Sequence, residues 1–276
     1  MKPLLTFALA ILFGINLSIA QEKEKLVLIS TNKGDIKIKL YNETPKHRDN
    51  FLKLVDDNFY EGVTFHRVIN QFMIQGGDPL SKNTDSTGRV GNGGPSYTLD
   101  AEIVSGLYHK KGALAAARLG DDVNPTKKSS GSQFYIVHGK TFSTTDLDKL
   151  TEQKNNQMKQ KGFTDFLQNP ENKEYSDRFN KIQSERDQAA FKVFIEEVTP
   201  LIDVIFESLP KYEYTATQKV IYGTQGGAPH LDGDYTVFGE VIEGIEIIDT
   251  IAAVPVDGKS KPLEDVIIEK MKVVKK

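Results

Sequence analysis

The sequence predicts a mainly β protein, a barrel or sandwich with few helices, interrupted by one helical insert. Three observations carry that expectation. Short apolar runs recur between clusters of Gly, Asn, Asp and Ser, the pattern of strands joined by turns. The strand pattern stops near Thr141 and returns at Tyr235. Between those points, apolar residues fall at roughly helical spacing in a charged background.

Leu26 to Ile29 is the first apolar run, and Asn32-Lys33-Gly34-Asp35 signals a turn. Ile36-Lys37-Ile38-Lys39-Leu40 alternates strictly, so the two runs form a hairpin with one buried face. Thr44-Pro45 supplies an N-cap residue and a first-position proline for a helix whose apolar face is Phe51, Leu52 and Val55. Phe65 to Pro79, FHRVINQFMIQGGDP, reads as two short strands or one bent strand. Residues 79–96 form a loop rich in Gly, Ser, Asn and Asp. Its glycines lack the Gly-Lys-Ser/Thr that a phosphate cradle requires. Gly112 to Ala117 and Gln133 to Val137 are the next strands.

The insert is assigned to 141–210. It holds a polar, Gln- and Lys-rich stretch to Gly162, then a helical stripe from Ser176 to Val198 through Phe179, Ile182, Phe191, Phe194 and Ile195. Thr199-Pro200 is expected to start a new helix carrying Leu201, Ile202 and Ile205. Tyr235 to Ile242 resumes the strands, Ile245 to Ala252 is a short helix, and Val266 to Val274 closes the chain.

Composition narrows the function. The 276 residues carry 35 basic and 38 acidic side chains, a net −3, so no basic field exists to hold nucleic acid. There is no cysteine, which removes disulfides, thiolate nucleophiles and Cys-based zinc sites. Residues 1–20 read as a Sec-type signal peptide: Lys2, an apolar core from Leu4 to Ile15, and small residues at Ser18 and Ala20 before a charged stretch. Its core is shorter than the ~20 residues that span a bilayer. Cleavage after Ala20 removes Lys2 and leaves 34 basic and 38 acidic residues, net −4. The expected product is periplasmic or secreted, without stable membrane insertion, where ATP and NAD(P)H are absent. That argues against a kinase or dehydrogenase. The five histidines lie far apart, with no metal-ligand spacing. No Gly-x-Ser-x-Gly elbow is present. No nucleophile, metal or cofactor is expected.

FHRVINQFMIQGGDP resembles the signature of the cyclophilin family of peptidyl-prolyl isomerases. GALAAAR with SSGSQFYIV (Gly112–Arg118, Ser129–Val137) is similar to that family's central block, and HLDGDYTVFGEV (His230–Val241) to its late strand. The three blocks occur in the family's order, and the resemblance covers about 26–139 and 219–274. It implies a closed antiparallel β-barrel of about eight strands capped by two helices, and rotation of Xaa-Pro bonds in Pro-containing unfolded or flexible segments of exported proteins.

By resemblance, Arg67 is the catalytic residue, and Gln75 orients it or the peptide carbonyl. Phe72, Met73, Tyr135 and Leu231 form the proline pocket. On a plain strand Gln75 and Met73 share a face and Phe72 takes the other, so the resemblance requires a bend. Ala117 and Arg118 match the peptide-backbone clamp, with arginine where asparagine is frequent. Gln133 matches a substrate-contacting glutamine. Tyr135 replaces phenylalanine, and its hydroxyl needs a partner. His230 stands where many members have tryptophan, which implies weak cyclosporin binding. Tyr235 stands where many have histidine. Two other functions fit less well. One is a chaperone or scaffold that binds proline segments with little turnover, which has no need of Arg67 and Gln75. The other is a closed barrel around an apolar ligand.

Overall fold

The computed structural model describes residues 23–82 and 90–275. The expected signal peptide and part of the 79–96 loop lie outside the described residues. The chain runs β1 (Leu26–Thr31), β2 (Gly34–Leu40), α1 (Pro45–Asp56), β3 (Arg67–Ile69), β4 (Met73–Gly76), β5 (Thr98–Leu99), β6 (Ala113–Ala116), β7 (Ser129–Ser130) and β8 (Phe134–Val137). It continues through α2 (Thr144–Gln168), α3 (Lys173–Glu185), α4 (Gln188–Glu207), α5 (Ala216–Thr224), β9 (Val237–Glu243), α6 (Ile245–Ala252) and β10 (Ile268–Val274).

One eight-stranded antiparallel sheet, in the order β10-β1-β2-β9-β6-β8-β4-β3, curls around the main core. The alternation in β2 buries Ile36, Ile38 and Leu40 there. Phe51, Leu54 and Val55 of α1 and Ile248, Ile251 and Ala252 of α6 fill the same core. A closed barrel was expected, and the structure is an open half-barrel. The edge strands β3 and β10 share no ladder. One bridge, Thr64 with Ile267, and a few backbone bonds such as Phe65 N to Val266 O span the seam. Past that point a loop carbonyl takes the place of a strand: Val68 N donates to Ser260 O at 2.8 Å.

Thr44 occupies the N-cap of α1, but its buried hydroxyl makes no hydrogen bond. Glu102 caps the helix instead, accepting from Lys46 N and His47 N at 3.0 Å each. Gly77, at φ +90°, sits where a Cβ would lie 2.3 Å from the Ser132 carbonyl oxygen, so only glycine lets β4 run this close to the turn before β8.

The insert region folds as helices around its own core of Phe166, Phe194, Val198 and Ile202. The polar stretch before Gly162 belongs to α2, opened by a capping box between Ser143 and Asp146. The apolar stripe is broken at Arg186, which turns into the left-handed region, and Asp187 caps α4. Pro200 does not start a helix. It lies inside α4, on the solvent face, while Phe194, Val198 and Ile202 keep the buried stripe continuous past it. Water can satisfy the Glu196 carbonyl that proline leaves without its N–H partner. Helix α5 was not expected; its signal is the Thr215–Gln218 capping box.

Two outcomes follow from these features. Pro200→Ala should stabilise α4 by about 1–3 kcal/mol, because an interior proline costs about 3 kcal/mol relative to alanine; thermal unfolding followed by helical circular dichroism measures it. His66 is buried and neither ring nitrogen has a hydrogen-bond partner. Burial lowers its pKa below the usual histidine value; Asp78 and the nearby Thr64 backbone, which is too poorly aligned to count as a hydrogen bond, oppose this, and the Arg67 charge adds to it. The fold therefore holds a neutral ring. The stability this contributes is complete above the unfolded value and is lost as pH falls through and below it. Urea titrations from pH 7 to pH 5 should show falling stability, and His66→Phe should flatten that slope.

Candidate active site

The site starts from strands buried on both faces. In β4, β6 and β8, Ile74, Leu114, Ala116, Phe134 and Ile136 point into the main core. The alternate residues Met73, Ala113, Ala115, Tyr135 and Val137 belong to a second cluster with Tyr41, Ala228, Leu231 and Val237. Register pairs Arg67 with Gln75, Gln75 with Tyr135, and Tyr135 with Ala115. These four residues form one rung across β3, β4, β8 and β6 and share the outer face.

A cleft of about 100 Å³ opens on that face. Arg67, Phe72, Met73, Gln75, Ala117, Arg118, Tyr135, Leu231 and Tyr235 line it. Phe72 reaches it from the β3–β4 turn, not from a strand. Gln71 takes a left-handed conformation at φ +59°, and the Phe72 carbonyl accepts from His138 N and Gly139 N. That is the bend the resemblance required. His230 does not line the cleft. Its exposed ring packs on Phe72 with centroids 5.2 Å apart.

Gln133 also stands outside the cleft, behind Gln75. Its Nε2 donates to the carbonyls of Gly91 (3.0 Å) and Gly93 (2.8 Å). Its Oε1 must then face Gln75, whose Nε2 donates to it at 3.1 Å. Gln75 Oε1 is left to accept from Arg67 Nη1 at 3.2 Å. The loop at the root of this relay is held by buried Asp78, which accepts from the backbone N–H of Leu80, Gly91 and Gly93. Among the described residues no carboxylate pairs with Arg67, so the rest of its exposed guanidinium is available at the cleft wall. A groove of about 470 Å³ adjoins the cleft, sharing Gln75, Ala117 and Arg118 and bounded also by Gln133, Leu119 and Val123.

Arg118 is engaged internally. Its side chain is 4% exposed and pairs with Asp121 at 2.6 Å. Its Nε donates to the Asp234 carbonyl at 2.7 Å, and its guanidinium lies 4.4 Å from the Tyr235 ring centre. It positions one cleft wall.

The Tyr135 hydroxyl has the partner it needs, His109 Nε2 at 3.1 Å. His109 Nδ1 meets Asp232 Oδ1 at 2.9 Å, and Asp232 Oδ2 accepts from Tyr222 (2.6 Å) and Gln218 (2.9 Å). Burial pushes the Tyr135 phenol well above its usual pKa. Burial also pushes the Asp232 carboxyl up, but its bonds from His109 and Tyr222 outweigh this and hold it below the usual carboxylate range. The sequence reading missed His109, Asp232, Gln218 and Tyr222. His109 and Asp232 lie 123 residues apart, so no spacing connects them.

The described residues that line the cleft include no serine, threonine, cysteine or lysine to act as a nucleophile. Among the described residues, no group of three or more His, Cys, Asp or Glu is placed to hold a metal ion. The cleft combines an apolar recess, a fixed cation and an oriented amide. That set can grip a peptide group and favour one charge distribution over another without making a covalent bond.

The cyclophilin-type peptidyl-prolyl cis-trans isomerase family model matches residues 26–199 and 212–273. A Staphylococcus aureus (strain COL) protein named among the peptidyl-prolyl cis-trans isomerases is 31% identical over 254 residues, covering 92% of this chain and 93% of its own. Its Staphylococcus epidermidis counterpart is 30% identical over the same shares. The crystal structure of a Cryptosporidium parvum cyclophilin-type isomerase aligns with TM-score 0.54 at 22% identity, over 92% of this chain and 99% of that one. A second structure of that protein, obtained in the presence of the dipeptide Ala-Pro, gives 0.53. The chain belongs to the cyclophilin-type peptidyl-prolyl cis-trans isomerases, and it is an isomerase.

Proposed function

We propose that the cleft takes the prolyl ring of an Xaa-Pro segment between Phe72, Met73, Tyr135 and Leu231, while Arg67 stabilises the twisted bond. The supporting observation is the directed relay from the Gly91 and Gly93 carbonyls through Gln133 and Gln75 to Arg67, beside an apolar recess. Amide resonance resists rotation, with a barrier of about 18–20 kcal/mol. Midway, the prolyl nitrogen lone pair leaves conjugation and becomes a better acceptor. A cation that donates to it, or to the moving carbonyl, binds this state more tightly than either planar isomer, and only such differential binding speeds the step. Moving turnover from roughly tens of seconds to milliseconds takes about four decades, ~5–6 kcal/mol. Preorganised donors beside an apolar recess that a prolyl ring fills act on that scale. Ala117 and Gln75 border both the cleft and the adjoining groove, a path for the peptide backbone on either side of proline.

The reading includes exported proteins as substrates and a periplasmic or secreted location, on the strength of residues 1–20. Among the described residues no helix is long and apolar enough to cross a membrane. It also includes weak cyclosporin binding, because His230 lacks an indole N–H at the rim.

A refolding assay limited by proline isomerisation tests the reading. The chain lacking residues 1–20 should accelerate the slow phase at substoichiometric amounts; a pure binder of proline segments would not. Arg67→Ala should lower the isomerisation rate at least about tenfold, with an unchanged circular dichroism spectrum. Full activity in that variant would remove Arg67 from its role. His230→Trp should tighten cyclosporin binding about five- to tenfold, the worth of one added hydrogen bond, measured by calorimetric titration.

A further inference from the structure

The helical insert reaches the cleft wall. The segment from Pro229 to Tyr235 carries Leu231 and Tyr235 into the cleft, yet it contains no strand, and Gly233 turns it at φ +80°. Its internal backbone bonds are two turn contacts, Asp232 N to Pro229 O and Asp234 N to Leu231 O. Other elements hold it. Lys154, midway along α2, donates from Nζ to the Asp232 carbonyl at 2.6 Å and lies 3.3 Å from Asp234 Oδ2. Its ammonium also stands 4.5 Å from the Tyr212 ring centre, and the side chain is only 18% exposed. From α5, Gln218 and Tyr222 hold Asp232 Oδ2. From the barrel side, His109 holds Oδ1, and Arg118 holds the Asp234 carbonyl.

We propose that Lys154 is a positioning residue for substrate binding: through it the insert braces the Leu231–Tyr235 wall and sets the affinity of the cleft for a prolyl segment. The proposal rests on the reading of the cleft given above. Its logic is mechanical. The ammonium fixes one backbone carbonyl and one carboxylate, at the two positions between Leu231 and Tyr235 that flank Gly233. Releasing it leaves the Asp232 backbone with only its turn bond to Pro229, its side chain still held, and Gly233 and Asp234 tied by Lys127 and Arg118. The wall can then tilt. The opposite wall, with Arg67, hangs on the loop at Gly91 and Gly93 and is not touched. Loss of Lys154 should therefore weaken binding more than it slows rotation.

The test uses the full exported chain, Lys154→Met, Lys154→Arg and Tyr222→Phe, with an Ala-Pro-containing tetrapeptide. NMR titration gives Kd and exchange spectroscopy gives turnover. Lys154→Met should raise Kd about fivefold while bound-state turnover changes less than about twofold; Lys154→Arg should return Kd to within about twofold of the parent. Tyr222→Phe, which loosens the same segment from α5, should raise Kd in the same direction and decides the matter if Lys154→Met does not fold. A lowered thermal midpoint with unchanged Kd in Lys154→Met and Tyr222→Phe would reduce these residues to fold stability and overturn the proposal. A parent chain that binds the peptide without turnover would overturn the catalytic reading instead, and the Kd comparison would still decide this one.

Discussion

Everything at the site depends on β4, β6 and β8 being covered on both faces. A half-buried antiparallel strand normally shows one wet face. Here the inner face is Ile74, Leu114, Phe134 and Ile136, and the outer face is small where it must be, at Ala113 and Ala115. Those alanines leave room for the Tyr135 ring to lie flat against His109, with 6.1 Å between ring centres and planes 15° apart. The cleft is the place on this second face where the cover is incomplete. A slip of one residue in β4 would exchange its faces, sending Gln75 into the core and Ile74 into the cleft.

The polar half of the site shows how direction is imposed on amides that have none of their own. A glutamine side chain can turn over and offer either end. Two carbonyls fix the donor end of Gln133, and each group after it has one choice left. The anchor of the series is Asp78, whose buried carboxylate gathers three backbone N–H groups and orders the loop at Gly91 and Gly93. A guanidinium held this way has less freedom to lose when it engages a strained peptide bond.

How much could be read beforehand follows from how local each cause is. The β1–β2 hairpin, α1, β6, β8 and α6 were legible because alternation, turn residues and helical spacing lie within a few residues of one another. The cap of α1 was not, because Glu102 arrives from 55 residues away. Phe72 needed a left-handed Gln71, which no apolar pattern announces. Pro200 looked like a helix start because a proline after threonine usually is one; the continuous stripe of Phe194, Val198 and Ile202 overrode it. Closure of the barrel depends on whether two edge strands meet; β3 and β10 share no ladder, and the seam is spanned by the chain just before β3, from Gly62 to Phe65, bonded to Val266–Ile268. Among the residues around the cleft, those that carry family motifs were legible. Those that support them from behind, His109, Gln218, Tyr222 and also Asp232, whose place inside the late block does not reveal its partners, were not, since support is a relation between distant segments.

The pairing of β1 with β10 joins Leu26 to Val274, nearly the whole described length of the chain. A polypeptide is made from its amino end, so β1 and β2 exist for most of synthesis with one side of β1 bare. Such an edge invites mispairing with other strands. The insert region between them has short connections and its own apolar centre, so it can settle early by local contacts. An isomerase of this fold thus has a late, long-range step in its own folding: its half-barrel is completed only when β10 arrives.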